Sequence, residues 1–367
     1  MTPADFIPFI ADIASQVGFP AKDLVLGGDH LGPVVWSAEP AGVAMEKARG
    51  LVAAYVLAGF KKIHLDTSMA CAGDDSVLSD EIVATRAAEL CEVAEQTAED
   101  AFGQSDLVYV VGTEVPPPGG TTEDVEGLQV TGASLVKQTV SAHKDAFSAR
   151  GLNGVWDRVI GLVVQPGVEF DHISVHDYQP DGAMALSEAI RDIPNLIYEA
   201  HSTDYQHASA YQALVRDHFA ILKVGPQLTY ALREALFALS SIEEELIDPG
   251  ECAYLKNMCE QVMLSEPKHW KKYYTSGQER LLRRYSYSDR IRYYWNHPLV
   301  VDAVDKLLTN LADTTIPLPL LSQYLPRQYA AIRAGDLTNH PREMVIHNIM
   351  QVTGRYADAC WKQQINE

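Results

Sequence analysis

Apolar positions along the first 246 residues follow two patterns in turn, the helical period and short continuous apolar runs. The helical period predicts helices over residues 4–18, 41–58, 81–102, 131–150, 183–191, 208–216 and 228–246. The apolar runs predict strands over residues 24–26, 61–66, 107–111, 159–164, 196–198 and 219–222. Strands that alternate with helices at this spacing indicate a parallel sheet built of βα units.

Polar residues follow each predicted strand, at the end where barrel enzymes carry their sites. They are Asp29, His30, Asp66, Glu114, Gln165, Glu199, His201, Asp204 and Lys223. This pattern favours an α/β fold of the TIM (β/α)8 type that lacks the first two strands, so that the six strands are strands 3 to 8. The alternative is a doubly wound open sheet, which would place one ligand crevice at a switch point.

Beyond residue 248 the βα alternation stops and the pattern becomes helical with proline breaks. We therefore expect a barrel over residues 1–248 and a helical region over 249–367 packed on it. Residues 266–297 hold eight Lys/Arg against three Asp/Glu, with six Tyr and two Trp among them. Three interpretations stay open for this segment: aromatic rings covered by cations, a subunit contact, or a phosphate site that uses Arg290 or Arg292.

Composition narrows the classes of function. The formal net charge of −20 argues against binding to nucleic acid or to an anionic membrane. Five cysteines without a C-x-x-C pair are typical of a cytoplasmic protein, and no apolar run approaches the ~20 residues of a membrane span. The chain contains neither a G-x-x-x-x-G-K-[ST] loop nor a G-x-G-x-x-G turn after a strand, so no nucleotide cofactor is expected.

The polar strand ends suit a bound divalent metal, zinc or manganese, because they combine imidazoles with carboxylates. Such an ion would stabilise the enediolate of a ketose while a carboxylate moves the proton, and Lys223 would bind a phosphate or an oxyanion. Taken singly, Asp29 or Asp66 could instead cap the following helix. His64 lies inside its strand, and we expect it to be a core histidine without a functional role.

Six motifs in order give the chain a resemblance to a known family. They are Gly27–Pro33, His64–Met69, Val111–Pro116, Val164–His172, Tyr198–Tyr205 and Ser288–Trp295. With these motifs the whole chain resembles the accessory subunit of bacterial class II D-tagatose-1,6-bisphosphate aldolase, the GatZ/KbaZ family. The resemblance implies a further N-terminal stretch with two strands in other members, which matches the deficit in the strand count.

The resemblance also implies a function. Members are described as lacking aldolase activity and as supporting the stability and activity of a catalytic subunit in galactitol and N-acetylgalactosamine breakdown. Some members are labelled tagatose-6-phosphate kinases, a label that this sequence, without a kinase loop, does not support. The alternative is a metal-dependent ketohexose-6-phosphate 4-epimerase that acts alone on fructose 6-phosphate. Expected partners are the catalytic aldolase subunit and a sugar phosphate, and a homo-oligomer stays open.

More distantly, the chain is similar to catalytic class II aldolases, in which an Asp-His pair supplies an acid and a metal ligand. Asp29 and His30 match that pair, Glu114 matches a glutamate, His201 matches a later metal histidine, and Gln165 replaces another. We therefore predict three groups of site residues. They are Asp29, Asp66 and Glu114 for catalysis; His30, His201, Gln165 and Glu199 for a metal; and Ser68, Ser202, Asp204, Lys223, Arg290 and Arg292 for substrate binding.

Overall fold

A computed structural model describes residues 1–113, 128–274 and 277–361. Its strands are β1 (Gly27–Leu31), β2 (Lys62–Leu65), β3 (Val108–Val111), β4 (Val159–Val164), β5 (Glu169–Phe170), β6 (Val175–His176), β7 (Ile197–Ala200) and β8 (Phe219–Leu222). Its helices are α1 (Pro3–Gln16), α2 (Ala41–Ala58), α3 (Asp80–Phe102), α4 (Ala133–Ala149), α5 (Pro180–Ile190), α6 (Ala208–Arg216), α7 (Pro226–Leu246), α8 (Leu255–Ser265), α9 (Glu279–Tyr285), α10 (Pro298–Ala312), α11 (Leu318–Tyr324), α12 (Pro326–Ala334) and α13 (Pro341–Trp361).

The main sheet is a parallel half-barrel of six strands in the order β1-β2-β3-β4-β7-β8. Each strand lies beside the next one of the sheet along the chain, and every pair is parallel. A doubly wound sheet would reverse this order at a switch point, and the described strands show no reversal. The predicted α/β fold of the TIM type with a helical extension is thereby confirmed.

Several elements begin and end where their sequence signals place them. The helix α2 follows Pro40 and ends at Gly59, whose φ of 97° is the left-handed conformation that glycine adopts without a Cβ clash. The bounds of α2, β4, α6 and β8 match those predicted. Local signals suffice here because the turn residues and the hydrophobic period agree.

The first strand differs from its prediction. The apolar run at residues 24–26 is not a strand, and Val25 is 73% exposed. Instead β1 begins at Gly27, so that Asp29 and His30 lie inside the strand rather than after it. A Cβ at Gly28 would stand 2.6 Å from the Leu31 side chain and 2.8 Å from the Tyr55 side chain, so a larger residue there would force these side chains to shift. The apolar run does not reveal this close packing.

A short hairpin was not predicted. The strands β5 and β6 have two residues each and pair antiparallel, with Glu169 opposite His176. Two residues are too few to show a period of two, so no sequence pattern could reveal them. The hairpin places the buried carboxyl group of Glu169 in the loop after β4.

Two hydrophobic clusters form the core. The first joins the sheet to its helices and includes Ile63, Tyr109, Leu162, Tyr198 and Phe219. The second joins α8 to α13 and reaches back along α7 to its residue 235. The predicted boundary at residue 248 therefore stays a prediction, since α7 packs with the helical region. Within the described residues, no helix is both long and apolar enough to cross a membrane.

Candidate functional site

Alternate residues of two strands that are not adjacent in the sheet, β2 and β7, bring the site together. Lys62 and His64 lie two apart on β2, and Glu199 and His201 lie two apart at the end of β7. Residues two apart on a strand face the same side of a sheet. These side chains therefore face the inside of the half-barrel, where their charged and ring atoms meet.

His64, Glu199 and His201 form a group that could hold a metal ion, called the metal group below. One ligand atom from each lies within 4.8 Å of the others. The residues are 0%, 0% and 6% exposed. His64 was expected to be a core histidine without a role, and this interpretation is wrong: it is buried, but among site residues. Its position inside a strand hid this, because only the curvature of the sheet brings β2 opposite β7.

The hydrogen bonds of His64 leave one ring nitrogen available. Its Nδ1 lies 2.9 Å from Oδ1 of Asp29 and 3.4 Å from the main-chain nitrogen of His30; because an ionised carboxylate only accepts, the shorter contact places the hydrogen on Nδ1. Its Nε2 is buried and has no hydrogen-bond partner among the described residues. A histidine that donates one N–H to a carboxylate while its other nitrogen is free is the usual arrangement of a metal ligand.

His30 lies beside this group. Its Nδ1 donates to Oδ2 of Asp66 at 2.7 Å, and its ring centre is 5.2 Å from those of His64 and His201. The φ of His30 is 51°, a left-handed conformation that costs about 1–3 kcal/mol in most side chains. The role of His30 as a metal ligand stays a prediction, because His30 lies next to His64, Glu199 and His201 rather than within their group.

Two lysines form ion pairs that link strands across the half-barrel. Lys223, after β8, pairs with Asp29 of β1 and stands 3.2 Å from Oε1 of Glu199. Lys62 of β2 stands 2.7 Å from Oε2 of Glu199. Sequence reasoning found Lys223 but missed Lys62, which lies at the start of its strand rather than at the end.

The local electrostatics favour the ligand forms of these groups. Burial raises the pKa of Glu199, but the hydrogen bond with His201 and the ammonium groups of Lys223 and Lys62 outweigh it and lower the pKa. Burial also raises the pKa of Asp29, but the hydrogen bond with His64 and the ammonium group of Lys223 outweigh it, so the pKa is lowered. Burial lowers the pKa of His201 and keeps its ring neutral. Ionised carboxylates and neutral imidazoles are the forms that bind metals.

One carboxyl group that the sequence did not single out has the opposite shift. Glu169 is 4% exposed, and burial raises its pKa although a hydrogen bond with Ser202 lowers it. Ser202, a predicted substrate residue, follows His201 directly, so Glu169 contacts the loop that begins at His201. A carboxyl group with a raised pKa is able to donate or accept a proton nearer neutral pH.

Other predicted residues have structural contacts of their own. Oε1 of Gln165 accepts hydrogen bonds from the main-chain N–H of Gly167 and Val168 at 2.8 and 3.1 Å, within its own loop. Oγ of Ser68 donates to Oδ1 of Asp66 at 2.8 Å, and this bond together with His30 overcomes burial and lowers the Asp66 pKa. These contacts hold Gln165 in its turn and Asp66 against His30.

Asp204 lies at the beginning of α7. Its Oδ1 accepts from the main-chain N–H groups of Gly225 and Gln227, both at 2.9 Å. Burial nevertheless raises its pKa to about 6. The contact is that of a helix cap supplied from another loop, a role for which the sequence has no local signal.

The predicted phosphate arginines pack on aromatic rings. The Arg290 guanidinium lies 3.3 Å from the ring centre of Tyr273 and donates to the main-chain oxygen of His269. Arg292 stacks on Tyr293 and donates to the main chain of Ser288. These contacts correspond to the interpretation of residues 266–297 as rings covered by cations. Glu114, the third predicted catalytic residue, lies outside the described residues.

The arrangement as a whole fits a divalent ion with nitrogen and oxygen ligands. Three protein ligands leave a position for substrate or water, as in catalytic zinc sites, and the same donor set suits manganese. Asp29 and Asp66 orient the two neighbouring imidazoles, while Lys62 and Lys223 offset the negative charge. Such a site can stabilise negative charge on a bound oxygen.

Comparisons with known proteins agree with this fold. A structure from Sinorhizobium meliloti 1021, described as a probable tagatose 6 phosphate kinase, is 43% identical, with a TM-score of 0.90 over 98% of this chain and 88% of that chain. Fructose-bisphosphate aldolase from Campylobacter jejuni shares 15% identity with a TM-score of 0.40, over 83% and 75% of the chains, and this likeness is too low to support an argument.

A family model decides the assignment. The model of the D-tagatose-1,6-bisphosphate aldolase subunit GatZ/KbaZ-like family matches residues 1–361, which is nearly the whole sequence. The match extends over the half-barrel, the site residues and the helical region alike. The chain belongs to the D-tagatose-1,6-bisphosphate aldolase subunit GatZ/KbaZ-like family.

Proposed function

We propose that the chain is an accessory subunit that stabilises and activates a catalytic class II tagatose-1,6-bisphosphate aldolase in the cytoplasm, within galactitol or N-acetylgalactosamine breakdown. The observation that carries this proposal is the family match over residues 1–361. The site adds support, because the pKa values of Asp29 and Asp66 are both lowered. Carboxylates held in the ionised form are poor proton donors near neutral pH.

The accessory role is tested with the partner present. The chain and a catalytic class II subunit are produced together, and copurification and the half-life of tagatose-1,6-bisphosphate cleavage at elevated temperature are measured. We expect a stable complex and a longer half-life than that of the catalytic subunit alone. An unchanged half-life with no complex would contradict the accessory role.

The second candidate function is a metal-dependent ketohexose-6-phosphate 4-epimerase that interconverts fructose 6-phosphate and tagatose 6-phosphate. It is favoured by the free Nε2 of His64 beside Glu199 and His201. A scaffold has little physical reason to keep a buried nitrogen without a partner, since that costs about 1–3 kcal/mol.

The chain's own residues suggest how this reaction would proceed. Cleavage of the C3–C4 bond gives an enediolate and an aldehyde, and addition to the other face of the aldehyde inverts C4. A bound divalent ion would supply stabilisation of the enediolate charge. Glu169 would take the proton from the 4-hydroxyl group and return it, because its pKa is raised by burial. Lys223 would hold an oxygen anion at the site.

The epimerase is tested on the isolated chain. Protein treated with chelator and then loaded with zinc or manganese is incubated with fructose 6-phosphate, and tagatose 6-phosphate is resolved by chromatography. We expect turnover only in the loaded protein and at least ~100-fold loss in Glu169→Gln, with His207→Ala, an exposed histidine, as the unchanged control. Absence of turnover in every metal-loaded sample would contradict the epimerase.

A further inference from the structure

A polar cavity lies between α7, α12 and α13. Its lining includes none of the three residues of the metal group. Its volume is about 220 Å³, and a neighbouring cavity of about 230 Å³ shares Glu234, Arg327 and Asn348 with it. Pockets for drug-sized ligands measure roughly 300–1,000 Å³, so this one suits a small metabolite. Its polar lining includes Tyr205, Gln227, Glu234, Arg327, Asn348 and Arg355.

Two arginines give the cavity its charge. Arg327 lies in the first turn of α12 and Arg355 lies on α13. Among the residues that the structure describes, neither guanidinium group makes a hydrogen bond or an ion pair within 4.0 Å, although both act electrostatically on Glu234. The lining thus carries two positive charges against the single negative charge of Glu234. A guanidinium group can bind phosphate through two parallel hydrogen bonds.

Three tyrosine rings form another part of the lining. The ring centre of Tyr205 is 4.4 Å from that of Tyr287 and 5.3 Å from that of Tyr230. The Tyr205 hydroxyl group donates to the main-chain oxygen of Tyr287 at 2.6 Å, which fixes its ring. Gln227 and Asn348 add amide groups to the lining: Oε1 of Gln227 accepts from the main-chain N–H of Tyr205 at 2.9 Å, and Nδ2 of Asn348 donates to the main-chain oxygen of Ala231 at 2.8 Å. Each amide keeps a further N–H for a ligand. Such a lining, with amides and a carboxylate, is suited to a polyhydroxy compound.

We propose that this cavity binds a small phosphorylated polyol or sugar, with Arg327 and Arg355 holding the phosphate and Glu234, Gln227 and Asn348 binding the hydroxyl groups. The site is separate from the metal group and does not depend on either proposed function. It acts as a regulatory site, because one of its walls belongs to the loop that carries a metal ligand.

The loop between β7 and α6 makes this connection. It begins at His201 of the metal group and reaches Tyr205 of the cavity wall four residues later. Oγ1 of Thr203 donates to the main-chain oxygen of Lys223 at 2.6 Å, so the same loop holds the lysine of the site. Ser202 and Tyr205 have φ values of 51° and 66°, conformations that only surrounding contacts maintain. A ligand against Tyr205 therefore stabilises the loop in the form that positions His201.

The test titrates inorganic phosphate and glycerol 3-phosphate by calorimetry into chelator-treated protein. We expect saturable binding of one equivalent, weakened about tenfold or more in Arg327→Ala and in Arg355→Ala. Arg342→Ala removes an exposed arginine of α13 that pairs with Asp305, and it should bind as the wild type does. Lys223→Met should also keep this binding, which separates the cavity from a phosphate position at the metal site.

The outcome can go against the proposal in two ways. No saturable binding by the wild type overturns it, and so does binding that Lys223→Met removes while both arginine variants keep it. Arg355→Lys, which retains the charge but not the planar fork, should bind between the wild type and Arg355→Ala; circular dichroism verifies that each variant is folded. With phosphate bound, amide hydrogen exchange at residues 201–205 should slow, and an unchanged rate refutes the regulatory coupling.

Discussion

Glu199 is the residue whose replacement tests the electrostatics of the site most directly. Its carboxylate is fully buried and lies 2.9 Å from His201, 2.7 Å from Lys62 and 3.2 Å from Lys223. Glu199→Gln keeps the size of the side chain and removes its charge. Lys223 then keeps its ion pair with Asp29, whereas Lys62 loses the ion pair that it makes among the described residues.

The exposure of the neighbouring lysines limits how much this change lowers the free energy of unfolding. Breaking a buried ion pair costs about 3–5 kcal/mol when the remaining charge cannot reach water. Here the side chains of Lys62 and Lys223 are 18% and 23% exposed, so both can turn partly toward solvent. We therefore expect Glu199→Gln to lower the free energy of unfolding at pH 7.5 by about 2–3 kcal/mol, below the full penalty.

The pH dependence of the free energy of unfolding tests whether the lost charge of Glu199 is the cause of the destabilisation. Because the pKa of Glu199 is lowered on folding, its ionised form contributes stability above its ordinary value of 4.5, and this contribution is lost as the pH falls below that value. The difference between the wild type and Glu199→Gln should therefore be constant from pH 6 to 8, an interval well above that value, and should narrow below about pH 4.5.

Urea unfolding of chelator-treated protein, followed by circular dichroism, measures the difference. The matched control is Glu39→Gln, which removes an exposed glutamate paired with Lys47 at 2.6 Å and should cost at most about 1 kcal/mol. The reasoning is refuted if Glu199→Gln costs no more than Glu39→Gln, or if its cost persists unchanged below pH 4.5.

Three further predictions concern the metal, a close backbone approach and a buried acid. His64→Ala should weaken zinc binding, measured by chelator competition, about 100-fold or more, whereas His207→Ala should not change it. Gly32→Ala should destabilise the protein by at least about 1–3 kcal/mol in thermal unfolding, because a Cβ there would stand 1.6 Å from a main-chain oxygen of the residue after β2. Gly42→Ala, with no atom within 4 Å of the new Cβ, should be neutral or stabilise by about 0.5–1 kcal/mol, and equal effects of the two changes would contradict this reasoning. The pKa of Asp204 is raised to about 6 on folding, so the wild type loses stability as the pH rises from about 4 to 6. Asp204→Asn does not titrate and should gain about 2–3 kcal/mol relative to the wild type across that interval, and parallel pH profiles would exclude this account.

The order of the barrel elements was readable from the sequence. The apolar run at residues 159–164 forms the strand β4, as predicted, and Gly59 ends α2 in the left-handed conformation that glycine favours. The six strands of the sheet also follow from this alternation, since parallel strands need a helical crossover between them. The hairpin of β5 and β6 could not be predicted because two-residue strands carry no period.

The site was only partly readable. Asp29, His30, Asp66, Glu199, His201 and Lys223 were found because they stand at or near strand ends, and the structure brings them together. His64, Lys62 and Glu169 were missed. His64 resembles any buried strand residue, Lys62 opens its strand, and Glu169 lies in a hairpin without a pattern.

The sequence by itself determined the alternation of strands and helices in the half-barrel and the residue types at most of the strand ends, because both depend on neighbours within a few positions along the chain. Only the tertiary structure decided which of those residues meet. The curvature of the sheet carries β7 and β8 toward β1 and β2, so that Lys223 reaches Asp29 and Lys62 reaches Glu199. Distances across a curved sheet depend on the packing of many residues, and no local pattern encodes them.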